Sequence, residues 1–134
     1  MPRRVLIDAG PLIALFDRDD ADHARIMDFL AGYQGSLITS WAVVTEVLYM
    51  LDFSVAVQLD FLEWLRREGL IIPQLDKDHL VRITELSRKY ADTPMDFADA
   101  TLMALAESEG ITEILTLGAD FLERALTTED KTQI

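Results

Sequence analysis

The chain predicts an α/β fold built on a parallel sheet with both faces covered. Three observations carry this expectation. Short, unbroken apolar runs stop at polar or turn residues, as strands buried on both faces do. Segments with helical period lie between those runs, and an alternation of strands with helices is the pattern of a parallel sheet. Glycines stand just past the predicted helix ends.

The first run, residues 5–7 (Val5-Leu6-Ile7), reads as a buried strand that ends in an acid, Asp8. Helical period follows over 11–16 and 21–31. Gly32 and Gly35 flank a turn into a second strand over 36–38, closed by Thr39 and Ser40. Residues 41–51 form a helix that is apolar nearly all round, with a single Glu, Glu46, in its middle. A helix over 56–67 ends before Gly69, and Leu70-Ile71-Ile72 reads as a third strand. Helices over 77–90 and 95–108 come next. The second of these starts at Thr93-Pro94-Met95-Asp96, with Thr93 as cap, Pro94 at the first helical position and an acid at the third. Gly110 then precedes a fourth strand over 113–117. The polar tail, 127–134, reads as a short edge strand or a frayed end. No repeat, low-complexity tract or linker interrupts the chain, which is expected to form one domain over 1–134.

With 134 residues, half of them apolar, the chain can bury a real core. It has no run of roughly eighteen or more apolar residues. Its start, Met1-Pro2-Arg3-Arg4, leads at once into a strand-like run, so neither a membrane span nor a cleaved signal peptide is expected, and the expected compartment is the cytoplasm. The absence of cysteine excludes disulfides, a thiolate nucleophile and a Cys-based zinc site. His23 and His79 stand far apart in polar settings, as surface residues rather than ligands. A net charge of −12, from 24 acids against 12 Lys and Arg, argues against a simple nucleic-acid binder that works by counterion release. A polyanion is repelled at long range unless metal ions or a partner supply positive charge. No Gly-rich run ending in Lys-Ser or Lys-Thr is present, which removes a phosphate-binding loop.

Context makes three of the acids informative. Asp8 ends an apolar strand, Glu46 interrupts an apolar helix, and Asp99 lies among small and apolar residues in Met95-Asp96-Phe97-Ala98-Asp99-Ala100. Desolvating an unpaired carboxylate costs several kcal/mol or forces protonation, so such acids keep a cation nearby. Lys and Arg are scarce in these segments, which points to a divalent metal held by carboxylates. The competing readings are a helix cap for Asp8, a distant Arg partner for Glu46, and the Thr93 cap for Asp96. Asp120, after the fourth strand, either complements a helix dipole or joins the site. Thr39, Ser40 and Thr116 can orient water or phosphate at strand ends, with cap duty favoured for Ser40. In a parallel sheet ligands gather at the carboxyl ends of the strands, where Asp8, Thr39, Ser40 and Asp120 all lie.

In order and spacing these residues resemble a PIN domain, and within that family the small VapC-type ribonuclease toxins of prokaryotic toxin–antitoxin pairs. The matching segments are 6–16, Thr39-Ser40 through Glu46, 94–100 with 104–107, and Leu115-Thr116-Leu117-Gly118-Ala119-Asp120-Phe121. The resemblance implies a three-layer α/β/α sandwich around a parallel sheet and metal-dependent cleavage of RNA. It puts Asp8, Glu46 and Asp99 on the three principal acidic positions and Asp96 and Asp120 on accessory ones. Asp8, Asp96, Asp99 and Asp120 are the expected ligands of Mg²⁺ or Mn²⁺, with Glu46 binding metal or orienting water. Gly118 departs from the family pattern, which places an acid there, and Asp120 is the carboxylate near enough to substitute. A small antitoxin and a second copy of the chain are the implied partners, with Leu51, Phe53, Phe61 or Trp64 as candidate contact surface. The rival expectation is a binding or scaffolding domain whose acidic cleft is catalytically weak or inactive.

Overall fold

The computed structural model describes residues 2–117. A strand β1 (Arg3–Ile7) leads into α1 (Ala9–Phe16) and α2 (His23–Ala31), followed by β2 (Gly35–Ile38), α3 (Trp41–Met50), α4 (Val55–Arg66), α5 (Lys77–Lys89), α6 (Phe97–Glu109) and β3 (Ile114–Leu115). The strands form one parallel sheet in the order β2-β1-β3, flanked by the six helices. Register is set by Val5 opposite Leu37 and Leu6 opposite Ile38 on one side, and by Leu6 opposite Ile114 on the other. This is the α/β/α arrangement that the alternating pattern predicts.

The central strand is buried at three successive residues, Val5, Leu6 and Ile7, which only a strand covered on both faces can be. Around it Leu12, Ile38, Val43, Val47, Leu51, Phe61, Leu86, Leu102 and Leu105 form one continuous core. Helix α6 is buried from Ala100 through Ala106. Its alanines, 98, 100, 104 and 106, keep that helix thin enough to pass through the core.

Three sequence expectations change. Residues 70–72 make a single parallel bridge, Ile71 to Ile38, rather than a strand. Ile71 donates to the Leu37 carbonyl at 2.8 Å and accepts from the Thr39 amide at 3.0 Å. The next bond in that ladder would come from residue 73, which is proline and has no N–H to give. Helix α6 starts two residues later than expected, because Asp96 rather than Thr93 is its cap. Leu51 and Phe61 are fully buried and belong to the core, not to a contact surface, whereas Phe53 is exposed.

Candidate active site

Each acid owes its position to the element that precedes it. Asp8 leaves the carboxyl end of β1 and caps α1, its Oδ1 accepting from the Ala9 amide at 2.8 Å. Its other oxygen accepts from the Thr116 hydroxyl, just past β3, at 3.4 Å. Glu46 sits half-buried in the second turn of α3. Asp96 and Asp99 close a reciprocal capping box on α6: Asp96 accepts from the Asp99 amide at 2.8 Å, and Asp99 accepts from the Asp96 amide at 3.2 Å. Asp99 thus takes part in capping its own helix. It occupies the third helical position, where an acid also complements the helix dipole.

Electrostatics tie these four acids together. Burial pushes the Glu46 carboxyl above its ordinary range, and the charges on Asp96 and Asp8 push it the same way. For Asp99 burial is again the largest cause, raising the carboxyl to about 7. The Asp96 amide opposes that shift, while the charges on Asp96 and Asp8 add to it. Among the described residues no basic side chain contributes to either shift. Acids on β1, α3 and α6 thus share one region of negative potential at the carboxyl end of the sheet.

The donor set fits a hard divalent cation: it is all oxygen, it is negative, and mutual repulsion raises its proton affinity. Among the described residues no three His, Asp or Glu side chains stand in metal-ligating geometry. Asp120 and Gly118 lie outside the described residues.

The hydroxyls divide between site and scaffold. Thr116 bonds to Asp8 directly. Thr39 is fully buried and donates to the Ile7 carbonyl at 2.9 Å, stitching β2 to β1. Ser40 is equally buried and caps α3 through the Val43 amide. Burial takes Thr39 and Ser40 out of reach of a substrate, against the expectation that they orient one. Both histidines serve the fold. His23 bonds the Ala14 carbonyl at 2.7 Å, and His79 links the cap residue Asp76 to Ser108 on α6. Arg66 and Arg67, at the end of α4, share Glu63, and Arg82 on α5 bonds Glu107 and Glu85.

Sequence reasoning missed Thr101. Fully buried in α6, it meets Ser40 at 2.8 Å and donates to the Ala98 carbonyl, so Ser40 is the donor in their shared bond. The signal was available, since Thr101 is a lone hydroxyl in an apolar stretch of helix.

Comparison with known proteins agrees with this architecture. The chain is 28% identical to Ribonuclease VapC26 of Mycobacterium tuberculosis over 115 residues, 84% of this chain and 85% of that protein. The crystal structure of Mycobacterium tuberculosis VapC20, described as a sarcin–ricin loop cleaving toxin, superposes with a TM-score of 0.79. That likeness covers 90% of this chain and 94% of the other at 19% identity, and it speaks to the fold alone. The profile of the PIN domain matches residues 5–126, from the first buried residue of β1 to beyond β3, and the chain accordingly belongs to the PIN domain family.

Proposed function

We propose that this chain is a metal-dependent endoribonuclease, the toxin of a type II toxin–antitoxin pair. The observation that carries the reading is the electrostatic convergence of Asp8, Glu46, Asp96 and Asp99 at the carboxyl end of the parallel sheet, with no basic side chain among the described residues acting on Glu46 or Asp99. The likeness to a protein named a ribonuclease supports RNA as the substrate, and favours turnover over a scaffolding role for the cleft.

In this reading Asp8 and Asp99 hold Mg²⁺ or Mn²⁺, with Asp96 and Asp120 as further ligands. When bound there, the ion would supply positive charge against the phosphoryl oxygens and make water more acidic. Glu46, whose proton affinity is raised by burial and by its acidic neighbours, orients the attacking water and accepts its proton. Thr116 steadies Asp8.

The chain acts as a single PIN-like unit over 1–134 in the cytoplasm, and among the described residues no helix is long and apolar enough to cross a membrane. Its protein partners are a second copy and a small antitoxin. Exposed apolar side chains on and between α3 and α4, namely Met50, Phe53, Val55, Leu59 and Leu62, suit such contacts.

Purified protein incubated with Mn²⁺ and tRNA or ribosomal RNA tests the reading. Defined fragments should appear with wild-type protein and disappear with Asp8→Asn, while the circular dichroism of the variant stays native. Equal cleavage by Asp8→Asn would refute the assignment.

A further inference from the structure

We propose that Tyr49 and Phe97 form a stacking subsite for an unpaired nucleobase of the RNA, next to the acidic cleft. This rests on the nuclease reading and adds to it a place where the substrate is gripped.

Tyr49 on α3 and Phe97 at the first position of α6 face one cavity of about 560 Å³, which Glu46 and Asp96 also line. The cavity is therefore continuous with the acids. Both aromatic rings lie open, Tyr49 at 72% and Phe97 at 58% of full exposure, and neither packs against a core cluster. The helix start does not need Phe97: the apolar contact that fixes the entry of α6 is made by Met95, packed with Ala100, Ala104 and Ile83. Exposed Trp41 stands two turns before Tyr49 on the same face of α3. Leaving two large aromatics in water in the wall of a cavity shared with Glu46 and Asp96 gains the fold nothing.

Charge decides what fits there. A chain of net charge −12 cannot hold RNA chiefly through its phosphates. Among the described residues six arginines, Arg3, Arg4, Arg25, Arg66, Arg67 and Arg82, are already paired with acids. Affinity beyond what a bound metal ion supplies must then come from contacts that do not depend on charge, and stacking of bases on aromatic rings is the principal one for single strands. Thr45, in the cavity wall, spends its hydroxyl on the Trp41 carbonyl at 3.0 Å, so the wall offers flat apolar surface more than hydrogen-bond readout. Such a subsite tolerates every base and prefers purines, which stack more strongly.

The test measures binding rather than turnover. Fluorescein-labelled oligoadenylate, oligouridylate and an abasic ribose oligomer are titrated in Ca²⁺ with wild-type protein and variants, and read by anisotropy. Tyr49→Ala and Phe97→Ala should each weaken oligoadenylate binding by about 5- to 100-fold, oligouridylate less, and the abasic oligomer not at all. Tyr49→Phe and Phe97→Tyr, which keep the rings, should bind as wild type does and show that the alanine losses are not misfolding. Wild-type binding with unchanged affinity in both alanine variants overturns the subsite and leaves the nuclease reading standing. The same unchanged affinity with a shift to monomer in sedimentation would assign the face to a second copy and also overturn it. Failure of wild-type protein to bind any of the three oligomers counts against both.

Discussion

Ser40 and Thr101 share a buried hydrogen bond of 2.8 Å that joins the cap of α3 to the second turn of α6. The chain of donors runs from the Ser40 hydroxyl to Thr101, and from Thr101 to the Ala98 carbonyl at 2.6 Å. Glu46 and Asp99 project from the two helices so joined, so a link with no chemistry of its own holds the spacing of two acids that have one. Replacing Thr101 by Val keeps the shape and strands the Ser40 donor. We expect a loss of about 1–3 kcal/mol, seen as a lower urea midpoint at unchanged slope. Cleavage should fall along with it. A neutral result would show that the link is dispensable.

Asp99 gives the protein a pH dependence of definite sign. Its carboxyl is raised from 3.8 to about 7 in the fold, first by burial and then by the charges on Asp96 and Asp8. The folded state therefore holds a proton that the unfolded chain has released. Stability is fully present below pH 3.8 and is lost as pH rises through about 7. Asp99→Asn should stabilise metal-free protein at pH 8, by on the order of 1 kcal/mol once solvent screening of the partly exposed group is discounted. At pH 4 it should change little. Thermal melts at the two pH values check this.

The ion pairs should not contribute equally. Glu107, at 18% side-chain exposure, takes two bonds from Arg82 across the α5–α6 contact, at 2.7 and 2.8 Å. Glu63 serves Arg66 and Arg67 on an open helix face, where those arginines are 70% and 73% exposed. Glu107→Ala should cost about 1–3 kcal/mol, because a charged, two-pronged bond is lost in a partly dry contact. Glu63→Ala should stay within roughly 1 kcal/mol. Chemical denaturation of the two variants separates them.

Much of the fold was legible because its signals are local. Asp8, Glu46 and Asp99 stood out through their apolar neighbours, and helices α1 to α6 all lie within two residues of the spans their period predicts. Legibility failed where a distant contact decides between equal local options. Thr93 and Asp96 are both good caps, and the packing of Met95 against Ile83 and Ala104 settles the start of α6 in favour of Asp96. Pro73 ends the pairing of Ile71, but only beside β2 does its missing N–H matter. The segments holding Leu51 and Phe61 gave no sign of which apolar side chains face inward. That Asp8 and Asp96 bear on both Glu46 and Asp99 depends on how three elements dock, and no segment records that alone.

The central claim is that these acids share one cation. Crystals soaked in Mn²⁺ and measured at the manganese absorption edge test it most directly. The account predicts an anomalous peak within about 2.0–2.6 Å of oxygens from Asp8 and Asp99, and its loss in Asp8→Asn. Manganese bound elsewhere, or none near Asp8 at saturating concentration, would contradict it.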